Sequence, residues 1–154
     1  MPIQAVGFGP HLTLDCYGCA PEKLKDESFI THFLSSLPSI LGMHKFNSPM
    51  VSAIPAQPKS FDKGGLTGFV ILVESHIAIH TFPQDGFATV DIFSCKLFDE
   101  KKAVSYVVQA FGAEKWEINR LDRGKEFVKH YPRNRLKAEK VAKRERSTAV
   151  LLCE

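Results

Sequence analysis

Three reactive side chains stand in the middle of the sequence: the hydroxyl of Ser75, the imidazole of His80 and the thiol of Cys95. A lone serine is a weak nucleophile, and a hydrolase would need a base and an orienting acid beside it. Ser75, His80 and Asp91 can be drawn as such a triad. We disfavour it, because no Gly-x-Ser-x-Gly turn presents the serine and because His80 and Asp91 fall two positions out of register on paired strands.

The elements that must position these side chains are three apolar runs, which predict strands over residues 68–74, 77–82 and 87–95. Between the second and third runs, Pro83-Gln84-Asp85-Gly86 has the composition of a tight turn. Between the first and second, Glu74-Ser75-His76 contains no Gly or Pro and does not look like a turn. We therefore expect Glu74-Ser75-His76 to have a chemical role.

The register of the predicted hairpin places the thiol beside the serine. If the turn pairs Phe82 with Phe87, Cys95 lies opposite Glu74, next to the Glu74–Ser75 bond. Alternation along the strands puts four aliphatic residues on the core face: Ile77, Ile79, Val90 and Ile92. The opposite face receives the imidazole and the thiol. We therefore predict that serine, imidazole and thiol converge at one end of the sheet.

At these residues the chain resembles a known family. The signature of the prokaryotic S-adenosylmethionine decarboxylases is Glu-Ser-His-x-x-x-His-Thr-x-Pro followed by Asp-x-x-x-Cys. Here the two parts read Glu74-Ser75-His76-Ile-Ala-Ile-His80-Thr81-Phe82-Pro83 and Asp91-Ile-Phe-Ser-Cys95. Weaker similarity extends from about His11 to Gly124.

The resemblance implies a zymogen that cleaves itself between Glu74 and Ser75. Ser75 would attack the carbonyl of Glu74, the resulting ester would eliminate, and hydrolysis would leave residue 75 as a pyruvoyl group at the start of a new chain. His80 would assist this autocatalytic cleavage, and Thr67 would share the task through a hydrogen bond.

The resemblance also implies a lyase that uses this self-derived pyruvate group as its cofactor. The group would form a Schiff base with the amine of an amino-acid-type substrate and take up electrons as carbon dioxide leaves. Cys95 would return a proton to the substrate carbon. With S-adenosylmethionine as substrate, the product would feed aminopropyl transfer in spermidine and other polyamine biosynthesis.

Four residues are candidates for substrate binding: Phe46, Phe61, Phe82 and Gln84. In the resembled family an aromatic residue before the central strands stacks on adenine, and either Phe46 or Phe61 aligns with it, depending on where an insertion is placed. Phe82 and Gln84 stand where the family usually has Trp and Glu. An amide holds ribose hydroxyls less strongly than a carboxylate does, so adenosine recognition is expected to be altered.

Two alternatives stay open. An enzyme of the same fold would decarboxylate ornithine or arginine, with acids such as Asp62 or Asp85 selecting the basic side chain. A protein of another class would be an uncleaved binding module that uses the basic C-terminal segment. We expect no metal site, because Cys16-Tyr-Gly-Cys19 lacks a second ligand pair.

The remaining patterns predict an α+β fold. They are a strand over residues 11–17, a helix capped by Asp26 or Ser28 and ended by Pro38 and Gly42, a helix from Asp99 to Gly112, and a strand over residues 115–121. Residues 43–65 lack periodicity and are either an irregular strand with a loop or an active-site loop. We expect a two-layer sandwich, an antiparallel sheet with helices packed on one face. The resemblance implies a homodimer of processed two-chain protomers.

Length and charge complete the prediction. The 154 residues suit one domain over residues 1–124, followed by a basic extension over residues 125–154. From Arg120 to Arg146 there are eleven Lys and Arg against four Asp and Glu. With only Phe127 and Tyr131 as aromatic residues, this stretch lacks the regular interleaving of a single-strand binder, so we expect a solvated segment and no nucleic-acid partner. No apolar run approaches the roughly 20 residues of a membrane span, so we expect a cytoplasmic enzyme.

Overall fold

The structure, a computed structural model, describes residues 8–130, which contribute six strands to one sheet. The strands are β1 (Gly9–Tyr17), β2 (Met50–Ile54), β3 (Gly65–Leu72), β4 (Ser75–Phe82), β5 (Phe87–Ser94) and β6 (Lys115–Arg123). Their order across the sheet is β2-β3-β4-β5-β1-β6, and the neighbouring pairs from β2 to β1 are antiparallel. The strands predicted over residues 11–17 and 115–121 are present, each two residues longer.

Three helices pack on one face of this sheet: α1 (Pro21–Leu24), α2 (Glu27–Ile40) and α3 (Glu100–Phe111). Asp26 caps α2 by accepting a hydrogen bond from the backbone N–H of Phe29 at 3.1 Å, and Asp99 caps α3 by accepting one from Lys102 at 3.0 Å. Gly112 ends α3 in the left-handed conformation, with φ of 63°. The predicted α+β sandwich with helices on one face is confirmed.

One helix boundary was predicted wrongly. Pro38 does not end the helix predicted after Asp26, since that helix, α2, continues to Ile40. A proline in the last turn removes one backbone hydrogen bond, and the ring of Pro38 is buried against the core, which offsets that loss.

The core lies between the helices and the inner face of the sheet. From the helices it receives Ile30, Phe33, Leu34, Leu37, Ala103, Val107 and Phe111, and from the strands Leu12, Leu14, Val70, Ile77, Ile79, Val90 and Ile92. The four aliphatic residues assigned to the core face of the central hairpin are all fully buried. The outer face of the sheet carries exposed apolar side chains, among them Phe69 and Ile71.

The predicted register is right, but the predicted break before it is wrong. Phe82 pairs with Phe87, and Ser75 at the start of β4 pairs with Ser94 at the end of β5. The chain turns at Val73 and Glu74, so Ser75 already belongs to β4. Composition does not reveal this turn, because no Gly or Pro makes it. Ser75 instead takes a positive φ of 150°.

Residues 43–65 form the first of the two possibilities that the sequence left open, a strand with a loop. Residues 50–54 form β2, an edge strand that pairs with β3, and a loop without regular structure follows it up to β3. Ahead of β2, Lys45 forms an isolated bridge with Leu72 at the end of β3. This short segment thereby reaches the turn between β3 and β4.

A second unit comprises Phe8 and residues 122–130 of the described chain. In it, Phe8 packs edge-to-face on Phe127 of α4 (Lys125–His130), with ring centroids 5.2 Å apart. Residues 131–154, most of the predicted basic extension, lie outside the described residues. Among the helices within residues 8–130, none is long and apolar enough to cross a membrane.

Candidate active site

The turn between β3 and β4 presents the Glu74–Ser75 peptide bond. Val73 at its tip is exposed, whereas Glu74 is buried. Ser75 has a φ of 150°, a backbone conformation that residues with a side chain rarely adopt. The bond that the sequence singles out is therefore held in a strained hairpin turn.

The carbonyl of Glu74 is polarised by a backbone group. Its oxygen accepts a hydrogen bond from the N–H of Cys95 at 2.8 Å, just beyond the pairing of Ser75 with Ser94. An N–H in this position stabilises the negative charge that develops on the oxygen if a nucleophile adds to the carbonyl carbon. The position of Cys95 opposite Glu74 follows from the predicted register, but the backbone donor itself has no signature in the sequence.

The side chain of Glu74 is anchored by a residue that sequence reasoning missed. Its Oε1 lies 2.7 Å from Nδ1 of His44, and its Oε2 accepts a hydrogen bond from the backbone N–H of His44 at 3.0 Å. Burial of Glu74 raises the pKa of the carboxyl group, but the hydrogen bonds from His44 outweigh burial and leave that pKa below its usual value. His44 stands alone in a segment without periodicity, so no pattern pointed to it.

His80 is in the other half of β4. Its Nδ1 lies 3.0 Å from Oγ1 of Thr67, its partner on β3, so the two residues predicted to share a task do form a hydrogen bond. Ser75 is five residues away along the same strand, which corresponds to roughly 16 Å. The prediction that serine, imidazole and thiol converge is therefore wrong for a single chain: Ser75 and Cys95 share one end of the hairpin, and His80 lies towards the other end.

The hydrolytic triad does not form either. Asp91 lies opposite Ala78 on β4, and its Oδ1 is 3.3 Å from Nε2 of His11 on β1. The carboxylate is thus engaged across the β1–β5 pair and does not orient His80. His76, for which the sequence offered no role, has ring contacts with His11 and Phe93 on the outer face of the sheet.

The four candidates for substrate binding separate into two places. Phe46 is 75% exposed, and its backbone N–H donates to Ile71 near the turn that holds Glu74. Phe82 and Gln84 lie at the opposite end of β4, where Phe82 stacks on Phe87.

Phe61, which is 85% exposed, belongs to the loop before β3. The same loop is tied to the turn after β4 by an ion pair between Lys63 and Asp85 at 2.7 Å. Phe61 therefore lies towards the end of β4 that carries Phe82 and Gln84, away from Phe46.

The cysteines of the Cys-x-x-Cys segment are structural. Cys16 and Cys19 are both buried free thiols. The hydrogen bond with Cys19, reinforced by burial, raises the pKa of the Cys16 thiol well above its usual range. Within residues 8–130 no three His, Cys, Asp or Glu side chains are arranged to hold a metal ion. Cys153 lies outside the described residues.

Comparison with known proteins identifies relatives over most of the chain. Residues 10–124 match the family model described as S-adenosylmethionine decarboxylase. S-adenosylmethionine decarboxylase proenzyme 2 of Bacillus anthracis is 34% identical over 118 residues, which cover 76% of this chain and 89% of that protein. The proenzyme of Clostridium botulinum strain Langeland is also 34% identical over 118 residues, which cover 76% and 95% of the two chains.

A solved structure agrees with these relatives. The crystal structure of the adenosylmethionine decarboxylase from Aquifex aeolicus VF5 superposes with a TM-score of 0.62 at 28% sequence identity. The match covers 75% of this chain and 90% of that one.

The strain at Ser75 can be measured directly. Ser75→Gly and Ser75→Ala both lack the hydroxyl, but only glycine accepts a φ of 150° without steric cost. We expect Ser75→Gly to have the higher free energy of unfolding, by roughly 1 kcal/mol after allowing for the extra backbone entropy of glycine in the unfolded chain. Urea denaturation of the two variants is the measurement. Equal stability, or a more stable Ser75→Ala, would show that the turn is not strained.

Proposed function

This chain belongs to the S-adenosylmethionine decarboxylase family, and we propose that it is a proenzyme that cleaves itself between Glu74 and Ser75 and then decarboxylates S-adenosylmethionine. The observation that carries the proposal is the surroundings of that bond. Its carbonyl oxygen already accepts a hydrogen bond from Cys95, and the next residue is a strained serine. No hydrolytic partner is needed for a hydroxyl that attacks its own preceding carbonyl.

Self-cleavage would proceed in steps that start from the hydroxyl of Ser75. Oγ of Ser75 adds to the carbonyl carbon of Glu74, the C–N bond breaks, and the hydroxyl proton passes to the nitrogen, which gives an ester. During the addition, the N–H of Cys95 holds the oxygen that becomes negative. Removal of the α-proton of residue 75 then expels the Glu74 carboxylate and leaves a dehydroalanine. Its enamine tautomerises to an imine by moving a proton to the β-carbon, and water hydrolyses the imine to the ketone with release of ammonia.

The residues around position 75 fit the pyruvoyl group that this sequence of steps produces. That group supplies a carbonyl that condenses with the substrate amine and an adjacent amide carbonyl that accepts electrons when carbon dioxide leaves. The thiol of Cys95 is half-buried beside the turn, and we assign to it the protonation of the substrate carbon. Glu74 becomes the carboxyl terminus of the first chain.

His80 and Thr67 act on this bond from a second copy of the chain. Roughly 16 Å of strand separates Ser75 from His80 within one chain, too far for a proton transfer. In a homodimer whose outer sheet faces pack antiparallel, the hairpin end that carries His80 in one copy meets the hairpin end that carries Ser75 in the other. The exposed apolar side chains on that face, such as Phe69 and Ile71, favour such an interface.

Three of the four adenosine-binding candidates lie at the end of the hairpin that carries His80. Phe61, Phe82 and Gln84 share one end of the hairpin, so we assign adenine stacking to Phe61 and the ribose contact to Gln84. Phe46 lies at the other end, beside the cleavage turn.

The contacts of Asp62 and Asp85 weigh against ornithine and arginine as substrates. Asp85 pairs with Lys63, and Asp62 accepts a hydrogen bond from the N–H of Gly64 at 2.8 Å. Both carboxylates are therefore already engaged and are poorly placed to select a basic side chain. We propose a cytoplasmic enzyme, where reducing conditions keep Cys95 a thiol.

Complementation between two variants tests cleavage and the role of His80 together. Ser75→Ala and His80→Ala should each stay whole when expressed alone. Co-expressed with tags of different length, the His80→Ala chain should be cleaved, because its intact Ser75 meets His80 of the other copy, whereas the Ser75→Ala chain stays whole. A denaturing gel reads the result. If the wild type itself stays whole, self-cleavage is wrong, and if the mixture stays whole, action between copies is wrong.

Cys95→Ala separates cleavage from turnover. Alanine keeps the backbone N–H that holds the Glu74 carbonyl, so cleavage should proceed. Loss of the thiol proton donor should lower kcat by roughly 10²–10⁴-fold. Gel analysis and labelled carbon dioxide release measure the two effects. A kcat equal to that of the wild type would exclude Cys95 as the donor.

The substrate is tested by comparing carbon dioxide release from S-adenosylmethionine, ornithine and arginine. We expect release from S-adenosylmethionine alone at an appreciable rate. Gln84→Glu should lower KM for S-adenosylmethionine by roughly tenfold to hundredfold, because a charged acceptor replaces an amide at the ribose. Activity on ornithine or arginine alone would overturn the substrate, and an unchanged KM in Gln84→Glu would overturn the ribose contact.

A further inference from the structure

We propose that His44 is a positioning residue for self-cleavage, which acts by holding the side chain of Glu74 while Ser75 attacks. The proposal rests on the cleavage of the Glu74–Ser75 bond proposed above. It adds a residue outside the motif that carries the hydroxyl, the imidazole and the thiol.

His44 forms hydrogen bonds with both residues of the cleavage turn, Val73 and Glu74. Its carbonyl oxygen accepts a hydrogen bond from the backbone N–H of Val73 at 2.9 Å. Its backbone N–H and its Nδ1 bind the two carboxylate oxygens of Glu74, at 3.0 and 2.7 Å. One residue therefore fixes the tip of the turn through its backbone and the residue before the scissile bond through its ring.

The segment around His44 is itself docked on β3. The backbone N–H of Phe46 donates to the carbonyl of Ile71 at 2.9 Å, and Asn47 accepts from the N–H of Ile71 at 3.1 Å through its side chain. These bonds continue the sheet by a few residues beside the turn. His44 consequently has a fixed backbone from which to hold Glu74.

Glu74 is then restrained from two sides. His44 holds its carboxylate, and Cys95 holds its carbonyl oxygen, so the plane of the scissile peptide cannot rotate freely. Attack by the neighbouring hydroxyl requires one orientation of that plane, and a restraint that keeps it raises the fraction of time spent in a reactive geometry. Without the ring, the buried carboxylate would lose its side-chain partner and keep only backbone N–H donors, and it would turn towards solvent.

The ring of His44 is suited to this task without being part of the core. Its side chain is 70% exposed, whereas that of Glu74 is 9% exposed. Truncating it leaves no cavity in the core, so a loss of cleavage would not come from loss of packing. After cleavage the same contact would keep the new carboxyl terminus at Glu74 beside residue 75.

The experiment follows the first-order rate of self-cleavage in freshly synthesised protein on a denaturing gel. His44→Ala should be cleaved about tenfold more slowly than the wild type or slower still, as expected when a charge-assisted hydrogen bond is lost. His44→Asn should recover most of the rate, because its amide nitrogen reaches the position of Nδ1. His32→Ala is the matched control, since His32 is an exposed histidine that contacts Ser36 within α2.

A double-mutant cycle separates positioning from a general structural effect. In a Glu74→Ala background His44→Ala should cause no further slowing, because the carboxylate through which His44 acts is absent. A wild-type rate in His44→Ala, or the same slowing in both backgrounds, would overturn the proposal. On an uncleavable Ser75→Ala background, adding His44→Ala should lower the urea midpoint only as far as the loss of one hydrogen-bonding side chain does, with the transition still cooperative. Loss of the cooperative transition would show a general loss of the fold and would also overturn the proposal. A wild-type chain that is never cleaved would instead refute the proposed function.

Discussion

The hydrogen bond from the Cys95 backbone to the Glu74 carbonyl is the contact on which the site depends. It forms only because β4 and β5 pair in one register, which brings Ser94 opposite Ser75. That register is set at the other end of the hairpin, where the turn closes at Gly86 in the left-handed conformation. A slip of one residue would move the thiol and its N–H away from the bond and turn the buried aliphatic residues outward.

The turn at Val73 and Glu74 has two unfavourable features, and specific contacts offset each of them. A positive φ at Ser75 costs of the order of 1–3 kcal/mol, and a buried carboxylate at Glu74 costs more unless it is hydrogen-bonded. His44 satisfies that carboxylate, and pairing on both sides of β4 holds the serine in place. Strain thus lies beside the bond whose rupture would relieve it.

The length of a β-strand explains why the remaining residues lie apart. Each residue advances the chain by about 3.3 Å, so two functional groups five positions apart on one strand cannot serve one reaction centre. Ser75 and Cys95 occupy one end of the hairpin, and Thr67, His80 and Phe82 occupy the other. If two chains packed antiparallel, the Ser75 end of each hairpin would face the His80 end of the other. Such a homodimer would have two equivalent sites.

The sequence by itself determined the family, the α+β class, the helix caps at Asp26 and Asp99, and the register of the central hairpin. These follow from local rules: capping oxygens, alternation of apolar residues and a turn marked by Pro and Gly. A short sequence motif also identifies the reactive residues, although it does not indicate the distances between them.

Only the tertiary structure decided how those residues are arranged. The turn at Glu74 lacks the usual turn residues and exists because His44, thirty positions earlier, and Cys95 hold it from either side. The pairing of Thr67 with His80, and their distance from Ser75, arise from strands that fold back on one another. Contacts between residues distant in the chain depend on packing and register together, which no local pattern encodes.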